Sequence, residues 1–287
     1  MKKLLTALVI IGLFTSPLYA MSVGDTATTV AKKGNFTLSC EFDKTFERDL
    51  EKKNLASASY GSFGAWNKDN NIESKEAEID TDRFLLKANL TIISNVDLFI
   101  KAGVARTTLE YKFASSTLSG KTQVKAEGDW DYLLGVGLKA KLFEFGGGYK
   151  VFGSAQFQHY EADADESWDG VALDNLVNNE VAGGDFTSQT MLETTESQVS
   201  IYVTRSAGAF APYLGMKYSD VRVDHDIVGG DRDGDIYTFS YHAPFEAKDN
   251  FGLFAGFDYA ITDHLNTSLE IRGLDELGGS LGISYLF

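Results

Sequence analysis

From Phe36 onward the chain keeps returning to one pattern, apolar residues at every second position with polar or small residues between them. A period of two marks a β-strand whose two faces meet different surroundings. In the first run, Asn35 to Asp43, Phe36, Leu38, Cys40 and Phe42 share one face and Thr37, Ser39, Glu41 and Asp43 the other. Four hairpins follow. Phe84 to Ile92 alternates down to a turn at Ser94-Asn95, and Val96 to Val104 returns; Trp130 to Leu142 descends to a turn around Phe143 to Gly146, and Tyr149 to Phe157 returns. Val199, Ile201 and Val203 reach Ser206-Ala207-Gly208 before Leu214, Met216 and Tyr218, and Phe251 to Tyr259 reaches Thr262-Asp263 before Leu265 to Ile271. The final run sets Leu281, Ile283, Tyr285 and Phe287 against Ser280, Gly282 and Ser284.

One strand, four hairpins and a closing strand make ten. The turns at one end are short, while the connections at the other are mostly long and polar, beginning with Thr45 to Thr81. Strands that are greasy on one face suit a wall with lipid outside, and in hydrocarbon every unpaired edge group costs several kcal/mol, so the wall must close. The pattern predicts an all-β fold: a closed antiparallel up-and-down transmembrane β-barrel of ten strands. Tyr237, Phe239 and Tyr241 also alternate; read as a strand extension they leave the count at ten, and read as part of a further hairpin they make it twelve.

Composition narrows the function classes. The 287 residues are 44% hydrophobic and 13% aromatic, too apolar for a disordered acidic chain. No stretch reaches eighteen consecutive apolar residues, which excludes helical spans. A formal net charge of −15 argues against nucleic acid, and the single Cys40 excludes an internal disulfide or a Cys-based zinc site. Lys2 and Lys3, the apolar run Leu4 to Phe14 and the small Ala20 read as a secretory signal peptide over residues 1–20. A polar periplasmic lead over 21–33 and the barrel over 34–287 complete the expected organisation.

A C-terminal strand that alternates through Leu281, Ile283 and Tyr285 and closes on Phe287 resembles the assembly signal of bacterial outer-membrane β-barrels. The resemblance implies residence in the outer membrane, reached through the periplasm. It implies lipid, lipopolysaccharide, the barrel-insertion machinery and periplasmic chaperones as partners. Neither a cofactor nor an enzymatic activity is expected. The function classes it leaves are a narrow porin-like pathway for small polar solutes or ions, and a surface structural or adhesive barrel without transport.

The polar faces supply the candidate lumen residues: Glu41, Arg83, Lys87, Lys101, Asp131, Lys139, Lys150, Glu196, Lys217, Asp258, Glu270 and Arg272. Phe99, Phe152, Tyr202, Tyr213 and Phe254 fall on the same faces. A barrel of about eight strands is just wide enough for side chains to fill, so ten strands lined this way predict a crowded interior. The acidic stretches Ala162 to Thr190 and Asp231 to Asp235 offer carboxylates to divalent cations. The second resembles the opening of a calcium loop without its distal Glu. Within the first, Leu173, Leu176, Val177 and Val181 have the spacing of a short amphipathic helical turn. Asp129-Trp130-Asp131 and Asp224-His225-Asp226 are similar in placement to the carboxylate and Asp–His pairs of omptin proteases. Here, however, His225 is adjacent to Asp224, so strand alternation predicts that the two point to opposite faces. His159, His242 and His264 show no metal-ligand spacing along the chain.

Overall fold

The computed structural model describes residues 36–52, 57–60, 77–93, 95–115, 120–168, 171–172, 186–231 and 238–287. The predicted signal peptide, the lead, the helical turn around Leu173 and most of the calcium-like stretch lie outside them. The strands are β1 (Phe36–Lys52), β2 (Ser57–Tyr60), β3 (Ala77–Ile93), β4 (Val96–Ser115), β5 (Gly120–Gly128), β6 (Asp131–Phe145) and β7 (Tyr149–Trp168). They continue with β8 (Val171–Ala172), β9 (Phe186–Arg205), β10 (Phe210–Asp231), β11 (Thr238–Ala247), β12 (Phe251–Ala260), β13 (Leu265–Gly273) and β14 (Leu277–Leu286).

Every pairing is antiparallel and the ring closes where β1 meets β14, from Thr37 opposite Leu286 to Asp43 opposite Ser280. Phe287 N–H donates to the Phe36 carbonyl at 3.0 Å and the two rings lie 5.5 Å apart, so the predicted closing residue sits on the seam. β5 and β6 occupy one wall position in series, since both pair with β4 and β7; β11 and β12 do the same beside β10. The ring therefore has ten positions; Phe239 and Tyr241 belong to β11, a strand extension, while Tyr237 lies outside the described residues.

The wall narrows as it rises. β13 and β14 end at a tight tip, Gly273 to Leu277, and above that tip β11 pairs directly with β1, Leu50 opposite Ala247 and Lys52 opposite Phe245. A ten-position ring thus carries an eight-position ring on its upper end. The β1 register shifts between Thr45 and Glu47 against β14, and between Thr45 and Arg48 against β3, where the change occurs. Such bulges bend a strand and let it change partners. Leu274 at the tip has φ +85°, a left-handed conformation that a non-glycine residue adopts only when its surroundings enforce it.

Strand length corrects the sequence reading. About ten residues of tilted strand cross a bilayer, yet β10 has 22 and β7, β9 and β4 have 20 each. Thr45 to Thr81, expected as a loop, contains the upper parts of β1 and β3 together with β2. Ala162 to Thr190 likewise begins as β7 and ends as β9, and Asp224 to Asp226 lies inside β10 and not beyond it. The surplus residues form the upper ring.

Outside the lower ring, side chains that a water-soluble protein would bury are exposed: Tyr132 at 80%, Leu134 at 66%, Ile100 and Leu214 at 59%. Aromatics rim this band, Phe143, Phe145, Phe210, Tyr259, Tyr285 and Phe287 below, Trp130, Tyr132, Phe157 and Tyr218 above. Amphipathic rings favour the headgroup level, so the band matches a bilayer.

Candidate functional site: a stratified lumen

The interior is built in three strata by side chains of alternate positions. In the lowest, Phe152 stacks on Tyr202 at 5.3 Å, and Tyr202, Tyr213 and Phe254 close on one another at 5.8–6.3 Å. The backbone makes room for these rings. A Cβ on Gly137 would collide with Phe99, and one on Gly215 would lie 2.5 Å from both Phe254 and Tyr202. Beside the rings, Lys87 lies over Phe99 at 4.3 Å and reaches Glu41 at 3.8 Å; Lys101 meets Glu41 at 3.7 Å and Lys139 meets Asp97 at 3.8 Å.

The middle stratum is ionic and buried. Arg83 binds Asp43 and Glu196, each at 3.2 Å, while Arg48 binds Glu196 at 3.5 Å and Glu276. Lys217 meets Asp275 at 2.7 Å and Glu276 at 2.6 Å, and Arg272 also bonds Glu276. Glu270 accepts from the Tyr213 hydroxyl at 3.1 Å, tying this stratum to the aromatics below. Asp275 and Glu276 belong to the β13–β14 tip, so the tip folds inward at the step where the wall narrows. Among the described residues, the cations Arg48, Arg83, Lys217 and Arg272 are nearly balanced by Asp43, Glu196, Glu270, Asp275 and Glu276. Charges this deep are tolerated only when paired.

The top stratum was not legible as lumen in the sequence reading. Inside the upper ring Leu50, Ile79, Leu109, Val124, Leu192, Val221, Val223, Ile227 and Phe245 form one apolar core with each side chain 3% exposed or less. A polar island interrupts it. The Tyr111 hydroxyl lies 3.3 Å from His225 Nδ1 and 3.4 Å from the Tyr241 hydroxyl, and Thr190 donates to Glu166 at 3.1 Å beside His225. Burial raises the Tyr111 hydroxyl well above its ordinary pKa. On the outer surface of the upper ring, partial burial, with Glu110, Asp82 and Glu78 nearby, raises the Asp80 carboxyl to about 6 against the pull of Lys44.

The candidate lumen residues all face inward. Glu41, Arg83, Lys87, Lys101, Lys139, Glu196, Lys217, Asp258, Glu270 and Arg272 are buried; Asp131 and Lys150, at the ends of the apolar band, are half-buried. Leu281, Ile283, Tyr285 and Phe287 face outward while Ser280 and Ser284 are buried within. Alternation splits the Asp–His motif as expected, with His225 fully buried in the core and Asp224 and Asp226 outside beside His242.

No protein-family model and no curated protein matches the sequence. Solved structures to which the fold is similar include OprG, an outer membrane protein of Pseudomonas aeruginosa, at 12% identity over 89% of this chain and 97% of that one, TM-score 0.41. The outer membrane protease OmpT of Escherichia coli is 11% identical over 91% and 96%, TM-score 0.47. The translocator domain of the autotransporter NalP from Neisseria meningitidis is 12% identical over 90% of each chain, TM-score 0.39. What decides the class lies in this chain: an antiparallel ring closed by β1 on β14 and belted by exposed apolar and aromatic side chains. The chain is a closed antiparallel β-barrel with the lipid-facing belt of a membrane-spanning one. Its short turns lie at one end, and the upper ring rises from the other.

Proposed function

We propose that this barrel is a sealed surface protein that raises a rigid acidic β-tower above the outer membrane and does not conduct solutes. The observation that carries the reading is the dry core of the upper ring. An ion entering it would leave water for apolar side chains, at several kcal/mol even after relaxation. With the core closed, what the molecule offers its surroundings is the outer face and loops of the tower, the geometry of a structural or adhesive barrel. The polar lower lumen, where Lys87, Lys101 and Glu41 meet at 3.7–3.8 Å, favours a second reading, a narrow pathway for small polar solutes or ions. Planar-bilayer recording of the refolded protein separates the two. The sealed barrel gives no resolvable current from pH 4 to 8 at either polarity; discrete, reproducible conductance steps would establish the pathway instead.

The same reading makes the barrel non-enzymatic, because the His225 imidazole is walled off from Asp224 and from any substrate at the rim. Equal peptidase readings for wild type and His225→Ala, with lipopolysaccharide present, agree with it; loss of a wild-type activity in the variant contradicts it. Lipopolysaccharide, periplasmic chaperones and the insertion machinery are the partners this placement calls for.

A further inference from the structure

On the outer face of the tower, just above Phe157 and Val199 of the lipid-facing band, cross-strand register sets carboxylates side by side. Glu161 of β7 stands opposite Glu193 of β9, which stands opposite Asp224 of β10. Like charges directly opposed across strands destabilise a sheet. Arg222, two residues along β10 from Asp224, stands opposite Thr195 and is engaged with Asp220 at 3.3 Å and Glu246 at 3.6 Å. His159, two residues below Glu161, reaches both glutamates: Nε2 is 3.4 Å from Glu161 Oε1 and Nδ1 is 3.8 Å from Glu193 Oε1. One donor atom from each of the three residues fits within a 4.8 Å spread.

From this arrangement we infer that His159, Glu161 and Glu193 form a surface site for a divalent transition-metal ion of the zinc class. Calcium and magnesium are held by oxygen alone, whereas an imidazole joined to carboxylates suits zinc and its neighbours. In the Nδ1–H tautomer the Thr195 hydroxyl, 3.1 Å from His159 Nδ1, accepts that proton's hydrogen bond and the Nε2 lone pair is left for the metal. Glu161 and Glu193 each supply an oxygen, water completes a four-coordinate shell, and the ion neutralises the opposed pair. All three ligands stand on paired stretches of β7 and β9, so the site is held by the wall itself.

The test uses the folded full-length barrel in detergent, free of any affinity tag and stripped with chelator, titrated with Zn²⁺ by calorimetry. One saturable site is expected, undisplaced by millimolar Ca²⁺. His159→Ala and Glu193→Gln should each weaken it at least tenfold, while His242→Ala leaves it unchanged. Co²⁺ in place of zinc should give visible absorption that His159→Ala abolishes. Circular dichroism of each variant checks that the barrel remains folded; the three side chains are partly exposed and lie outside every core. Absence of saturable zinc binding, undiminished binding by His159→Ala, or loss on His242→Ala instead would overturn the assignment.

Discussion

Glu196 shows what a single buried side chain does in this barrel. Its carboxylate holds Arg83 at 3.2 Å and Arg48 at 3.5 Å and accepts from Gln158 at 2.6 Å, joining β9 to β3 and β1 across the lumen and to its neighbour β7. Glu196→Leu leaves two guanidinium groups short of an anion in a dry site, at a cost of about 3–5 kcal/mol. Urea unfolding in lipid vesicles should register the loss, and Glu196→Gln, which retains hydrogen bonding, should lose less. Asp80 acts in the opposite sense on the outer face. Its folded carboxyl keeps its proton up to about pH 6, against 3.8 for an ordinary aspartate, so between those values the folded chain binds more protons than the unfolded one. Stability contributed there is present at low pH and falls as pH rises through 6. Asp80→Asn should therefore be more stable than wild type at pH 8, a difference that vanishes towards pH 4 in the same unfolding measurement.

Single strands carry the boundary between membrane and tower. In β10, Leu214, Met216 and Tyr218 face lipid from even positions, while Val221, Val223 and Ile227 fill the upper core from odd ones. β4 repeats the change: Leu98 and Ile100 point outward, Leu109 and Tyr111 inward. The register runs on without interruption, so the apolar residues change face and the strand does not. Below the boundary the apolar solvent is outside; above it water is outside and the only apolar refuge is within. Two substitutions test the two halves. Leu214→Arg places a charge in hydrocarbon and should cost about 2–4 kcal/mol near the midplane. Leu192→Ala leaves a cavity in the upper core and should cost about 2–5 kcal/mol. Proteolysis of the vesicle-inserted Leu192→Ala variant should cut the upper ring sooner than in wild type while the ten-position ring stays protected by lipid.

At the scale of the whole molecule, the proposed seal consists of two side-chain layers in series, the aromatic stratum below and the apolar core above. Phe152→Ala with Tyr202→Ala should loosen the lower aromatic stratum, yet bilayer recordings should remain silent because the apolar core above is intact. Adding Leu109→Ala, Leu192→Ala and Phe245→Ala should be needed before current appears; current from the lower pair alone would locate the seal in the aromatics. Much of this body was readable in the chain. Phe84 to Val104 and Gly278 to Phe287 declare their outward faces because lipid demands an unbroken apolar side from every strand, and closure follows from the cost of a bare edge. The tower was legible only as a change of phase, Val221 following Tyr218 on the other parity, which resembles a loop until the strands are seen to continue. Nothing local announces that Asp275 and Glu276 turn inward, since that depends on Lys217, Arg48 and Arg272 waiting at a narrowing of the wall. His159 and Glu193 are far apart in the chain, and the β7–β9 register alone makes them neighbours. The sequence by itself determined the closed barrel and which residues face lipid, because alternation is a local property enforced by the solvent; the pairing of β11 beside β12 settled ten positions over twelve. Only the tertiary structure decided how the lumen is layered and where charges meet, because those depend on which strands close against which.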